Sequence, residues 1–213
     1  MNAIIALSLL AAVSGALHIR SEYHGPRVLG YACKPLTTTA LIALAWLAPG
    51  SPPEPYRELI VLGLIFSLAG DVFLMLPSDR FLPGLTSFLV AHLLYIAAFS
   101  QVEGFQLSVL ALAPFALASA ALLRLLWPHL AGMRLPVLFY VIVIVTMGWQ
   151  AAAQWSSVGE TWALLALLGA ILFTLSDAAL ALNRFRAPFA SAQATILTSY
   201  YLAQWLIALS VAR

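Results

Sequence analysis

Apolar stretches of about 18 to 24 residues recur along the chain, and short polar breaks separate them. The breaks carry loop chemistry: "EYHGPR", "PGSPPEPY", "PSDR", "QVEG", "PHLAG", "SSVGE" and "NRFRAP". A helix that crosses a bilayer needs about 20 residues. The pattern therefore predicts an all-α polytopic membrane protein with eight transmembrane helices, at 2–19, 28–48, 57–76, 82–100, 106–127, 133–153, 161–182 and 189–212. The first stretch, "MNAIIALSLLAAVSGALHIR", lacks the basic start of a signal peptide and reads as the first span. Short breaks make successive helices antiparallel neighbours. Residues 1–213 form one integral membrane domain, with almost nothing left for a soluble one.

Composition agrees. Of the 213 residues, 63% are hydrophobic and 8% charged, against about 25% charged in a soluble domain. The net charge of +2 comes with no basic patch long enough to suggest nucleic acid. The single cysteine, Cys33, excludes an internal disulfide and a cysteine-rich metal site. Arginines are uneven. Arg20, Arg27, Arg80, Arg124, Arg134, Arg184 and Arg186 fall at one set of helix ends, and only Arg57 and Arg213 at the other. The positive-inside rule puts the 18–27, 77–81, 128–132 and 183–188 loops in the cytoplasm and both termini outside.

A shift of 106 residues lays "LGLIFSLAGDVFLML" on "LGAILFTLSDAALAL". It pairs Gly63 with Gly169, Asp71 with Asp177 and Tyr95 with Tyr201. This suggests two four-helix halves of parallel topology.

Lys34, Asp71 and Asp177 are the charged residues set well inside spans. Each costs roughly 2.5–3.5 kcal/mol on insertion scales and is a functional candidate by default. Counted from the cytoplasmic helix ends, all three lie roughly 8–9 Å deep. His92 is deeper. Ser67 shares a stripe with Asp71, Thr174 with Asp177, Tyr95 with His92, and Thr37 and Thr38 with Lys34. Tyr200, Tyr201 and Gln204 add polar stripes on the last helix. The fifth span offers little beyond Ser108 and Ser119 and reads as lipid-facing, while the others enclose a polar pocket open to the cytoplasm. The tryptophans lie mostly near span ends, as an interfacial belt does. A structural Lys34–Asp ion pair is the plain reading. It leaves one cation to serve two carboxylates, and a buried charge without a partner tends to neutralise instead. A lone zinc ion on Asp71, His92 and Asp177 is a further alternative, though the residues imply no metal and no cofactor.

The stretches "CKPLTT", "GLIFSLAGDVFLMLP", "FLPGLTSFLVAHLLYIAAF", "LFTLSDAALALNRF" and "SYYLAQWLI" together resemble the YhhN-type lysoplasmalogenase family, over nearly the whole chain and in order. The resemblance implies eight helices in a membrane, for a bacterial chain the inner membrane. It also implies hydrolysis of the vinyl ether bond of lysoplasmalogens, yielding a fatty aldehyde and a glycerophospho-ethanolamine or -choline. It makes Asp71 and Asp177 essential, with a lysophospholipid and the bilayer as partners and no protein partner. The chemistry is coherent with these residues. A vinyl ether is cleaved by acid: protonation of the carbon β to oxygen gives an oxocarbenium ion that water captures. Two carboxyl groups perform related work in glycosidases. Lys34 then binds the substrate phosphate or holds one aspartate ionised. His92, Tyr95, Ser67, Thr174, Tyr200, Tyr201 and Gln204 line the substrate pocket. The alternative is a small lipid-binding or transport protein, which would carry polar groups through to the far face.

Overall fold

A computed structural model describes residues 2–50 and 53–212; Arg213 and two residues of the 49–56 break, Ser51 and Pro52, lie outside the described residues. These residues form eight α-helices: α1 Asn2–His24, α2 Arg27–Leu47, α3 Tyr56–Met75, α4 Phe81–Phe99, α5 Val109–Leu126, α6 Arg134–Val158, α7 Thr161–Ala181 and α8 Ala192–Leu209. Two short 3₁₀ turns link α5 to α6, and α7 ends in a π-helical turn, Leu182–Arg186. Helices are what hydrocarbon allows, because each backbone polar group is satisfied within its own segment. Local chemistry sets the ends. Ser108 Oγ accepts from Ala111 N at 3.3 Å to start α5, and Gly159, at φ 69°, closes α6 in the left-handed conformation that favours glycine.

Seven helices are long and apolar enough to cross a membrane. The eighth, α8, has 18 residues but carries Gln193, Thr195, Thr198, Ser199, Tyr200, Tyr201 and Gln204. It packs on α7, α2 and α1; Tyr200, Tyr201 and Gln204 bond to Asp71, His18 and Tyr95, while Gln193, Thr195 and Thr198 are exposed. Two spans outrun their expected ends. α1 continues to His24, because its last polar turn stays helical. α6 runs on to Val158.

The neighbours repeat with a shift of four helices. In the first half α1 packs on α2, α2 on α3, and α3 on α4; in the second α5 packs on α6, α6 on α7, and α7 on α8. The halves join through α4 on α6 and α8 on α2. This closes a ring of α2, α3, α4, α6, α7 and α8, with α1 and α5 outside it. The core of that ring includes Leu41, Leu44, Ile60, Leu64, Tyr95, Phe99, Met147, Phe173 and Ile207. Of α5, only Ala111, Ser119 and Leu126 are buried, as its sparse polarity implies.

Two glycines matched by the 106-residue shift let helices meet closely. A Cβ on Gly63 would run into the Tyr95 ring of α4, and one on Gly169 would lie 2.9 Å from the Ala203 carbonyl of α8. Gly63→Ala and Gly169→Ala should each destabilise the detergent-purified protein by about 1–3 kcal/mol through overpacking. Gly169→Ala should be the worse, since its obstacle is backbone. Thermal unfolding measures this, and a pair of unchanged midpoints would show that the helices can part freely.

Candidate active site

Asp71 sits on α3 and is 1% exposed. Three side chains from two other helices meet its carboxylate. Oδ2 accepts from Thr38 Oγ1 of α2 at 2.7 Å and from the Tyr200 hydroxyl of α8 at 2.8 Å. Lys34 Nζ, also on α2, lies 3.5 Å from Oδ1. Lys34 and Thr38 are one helical turn apart, so they reach the same carboxylate from one face.

Asp177 on α7 has a different surround. Its Oδ2 accepts from the Tyr140 hydroxyl of α6 at 2.6 Å. His92 Nε2 of α4 is 3.9 Å away, too long for a hydrogen bond. The His92 ring is fully buried, edge-on to Phe173 at 4.5 Å and to Tyr140 at 5.3 Å between centroids. Asp177 has no lysine or arginine partner among the described residues.

Both carboxyl groups line one cavity of about 460 Å³, with Lys34, Tyr200, Arg80 and Arg184. Arg184 closes its rim through a 2.7 Å bridge to Asp79 and stacks over Phe81 at 4.9 Å. That bridge holds the Asp79 carboxyl below its ordinary range. A second, narrow cavity of about 70 Å³ is apolar, with walls from Leu85, Phe88, Leu122, Leu126 and Ile144. Asp177, Leu74, Phe81, Phe88 and Leu180 line both. Asp177 thus stands where a polar chamber meets a greasy slot.

Other expected site residues fall elsewhere. Gln204 accepts from the Tyr95 hydroxyl at 2.8 Å, and Ser67 is fully buried one turn before Asp71. The Thr174 hydroxyl bonds back to Ala170 O at 2.9 Å while the residue lines the apolar slot. Tyr201 does not line the aspartate cavity; its hydroxyl meets His18 Nδ1 of α1 at 2.6 Å. Asp71, His92 and Asp177 do not gather as a metal-ligand set, and no group of three His, Cys, Asp or Glu does so among the described residues. The sequence reading missed Tyr140. The signal was there: the 106-residue shift that pairs the aspartates pairs Lys34 with Tyr140.

The profile of the YhhN family matches residues 29–211. The human lysoplasmalogenase TMEM86B (Homo sapiens) is 38% identical over 183 residues, covering 84% of this chain and 74% of its own. Lysoplasmalogenase TMEM86A of Bos taurus is 36% identical over 184 residues, covering 84% of this chain and 75% of its own. The membrane protein YhhN of Escherichia coli O157:H7 is 30% identical over 203 residues, covering 93% and 95%. No solved structure matches the chain.

The Lys34–Asp71 contact yields a stability test. Removing one partner of a buried pair costs about 3–5 kcal/mol, whereas removing both costs far less. Lys34→Met alone should lower the thermal midpoint clearly, and Asp71→Asn added to it should recover most of the loss. A double-mutant cycle reads the coupling; purely additive effects would mean that the two groups do not interact.

Proposed function

The chain belongs to the YhhN family, and we propose that it is a lysoplasmalogenase, an integral membrane hydrolase that cleaves the vinyl ether of a lysoplasmalogen with Asp177 and Asp71 as its two working carboxyls. The observation that carries this reading is the position of Asp177 on the wall shared by the apolar slot and the polar cavity. A lysoplasmalogen has the same division, with an alkenyl chain on one side of the vinyl ether and a glycerophosphate on the other. The slot is too small for a whole long chain. Its Ser119, Leu123 and Val141 also line a groove of about 340 Å³ between α5 and α6. The remainder of the chain runs out along that groove toward lipid.

The surroundings divide the roles. Tyr140 occupies Asp177 Oδ2, which leaves Oδ1 to carry a proton. Asp177 is the acid: it protonates the vinyl carbon β to oxygen, and the oxocarbenium ion forms. Asp71 accepts from Thr38 and Tyr200 beside the Lys34 ammonium, a surround that suits a carboxylate. It stabilises the cation and takes a proton from the attacking water. The hemiacetal then collapses to aldehyde and alcohol. Lys34, Arg80 and Arg184 bring positive charge to the phosphate. Above Asp71 toward the other membrane face, α2 and α3 close on buried Leu41, Leu44, Ile60 and Leu64. A dead-end pocket favours an enzyme over a transport path.

Purified protein should release aldehyde from a vinyl-ether lysolipid and none from its alkyl-ether or diacyl counterparts. Asp71→Asn and Asp177→Asn should each lower turnover by about 10²–10⁴-fold, the usual scale of general acid–base catalysis. The double variant should be scarcely worse than the poorer single one, because groups acting as a unit are not additive. Two folded Asn variants that hydrolyse at near wild-type rates would sink the reading.

The membrane is the bacterial inner membrane, and the cavity mouth is cytoplasmic. Arg20, Arg27, Arg80, Arg124, Arg134, Arg184 and Arg186 gather at that end, with Arg57 at the other. Cys33, the one cysteine, is buried. A Cys33→Ala background carrying Ala187→Cys, on the exposed loop after α7, should therefore react with an impermeant thiol reagent only once the membrane is permeabilised. Labelling in intact cells would invert the topology.

A further inference from the structure

The cavity does not stop at Lys34. A second polar chamber, of about 620 Å³, lies beyond it between α1, α2 and the start of α8. Lys34, Leu74, Pro77, Gln193 and Leu197 line both spaces, so the two adjoin with the lysine on their common wall. The chemistry outlined above leaves this chamber unused, yet it is built with care. Glu22 Oε1 is held 3.2 Å from His18 Nε2. The His18 ring is in turn fixed through Nδ1 by the Tyr201 hydroxyl at 2.6 Å. Gly30 of α2 makes room for the ring: a Cβ there would sit 3.3 Å from His18 Cδ2 and 3.0 Å from Ser21 Oγ. The Tyr23 hydroxyl accepts from Ala194 N at 2.9 Å and pins the end of α1 to α8.

The charges in this chamber are mixed. Arg27 and Lys34 line it with Glu22. A site for phosphate alone gains nothing from a carboxylate in its wall, since like charges repel. A site for a zwitterion needs both signs. Two tyrosine rings, Tyr23 and Tyr31, also line the chamber, and aromatic faces attract ammonium groups. Pro35 has no N–H, so the Tyr31 carbonyl one turn earlier does not receive its helical bond.

We propose that this chamber is the subsite for a zwitterionic phospho-amine head group, with the phosphate at Lys34 and the ammonium group against Glu22, Tyr23 and Tyr31. It rests on the hydrolase reading in one respect, that the adjoining cavity takes a lysolipid. Glu22 is then a specificity-determining residue. The His18–Tyr201 chain positions it, which is why Tyr201 faces away from Asp71.

The test has two arms. In the first, the KM for lysoplasmenyl-ethanolamine is compared with the KM for the alkenyl-glycerophosphate that lacks the amine. Glu22→Gln keeps the contact to His18 but removes the charge, and should shift that ratio about tenfold against the amine substrate. Tyr31→Leu, on a residue 40% exposed and so tolerant of change, should shift it the same way by a smaller factor. In the second arm, binding of glycerophosphoethanolamine and of glycerol 3-phosphate to the purified protein is measured by calorimetry, with no vinyl ether present. The wild type should prefer the former, and Glu22→Gln should erase the preference. A ratio and a preference unchanged in both variants would overturn the proposal, as would a wild type that does not prefer the amine. Glu22-dependent binding without aldehyde release would instead uphold the subsite and overturn the hydrolase.

Discussion

A carboxyl group placed in a bilayer span has to find its donors inside the protein, and the neighbours of Asp71 and Asp177 follow from that need. Hydrocarbon offers no donor at this depth, and an unsatisfied polar group in it costs several kcal/mol. Each aspartate therefore recruits helices. Asp71 on α3 draws a hydroxyl and an ammonium from α2 and a phenol from α8. Asp177 on α7 draws a phenol from α6, with the His92 ring of α4 close by. Those contacts span the ring of helices, including both seams at which its halves join. The glycines at 63 and 169 serve the same end, since they let α4 and α8 approach α3 and α7 closely.

The repeat also explains how two similar carboxyls come to differ. At corresponding places in the two halves, Lys34 faces Asp71 and Tyr140 faces Asp177. One half supplies a cation and the other a neutral hydroxyl. That exchange, together with Thr38 and Tyr200, which bond Asp71 alone, makes the two carboxyls chemically distinct. The surroundings reinforce the split. Asp71 looks onto the polar cavity alone, whereas Asp177 also borders a slot of leucine, phenylalanine and isoleucine.

Much of this was legible in the sequence. Hydrophobic runs gave the helices, and the depth of Lys34, Asp71 and Asp177 marked the residues that share the cavity. Two things were not. Tyr140 has no polar neighbour on its own stripe to mark it, unlike Tyr95 beside His92; only the repeat, which pairs it with Lys34, marks it out. The sequence sets Tyr200 and Tyr201 on adjacent stripes, about 100° apart on the helix, but does not show that the stripes serve different spaces. That rotation sends one phenol to Asp71 and the other to His18. The ends of α1 and α6 were also missed, because hydrophobicity reports where lipid stops and not where the helix does.

The position of α5 has a consequence for what happens after bond cleavage. This helix rests chiefly on α6, and the groove between them continues the apolar slot outward. On the proposed reading, an aldehyde formed at Asp177 has a route straight into the hydrocarbon, while its water-loving co-product faces the charged rim at Arg80 and Arg184. The two halves of the broken molecule depart into different phases. Recombination would require both to return to one pocket from opposite media, so their separation clears the site for the next substrate, while the equilibrium stays that of the chemistry.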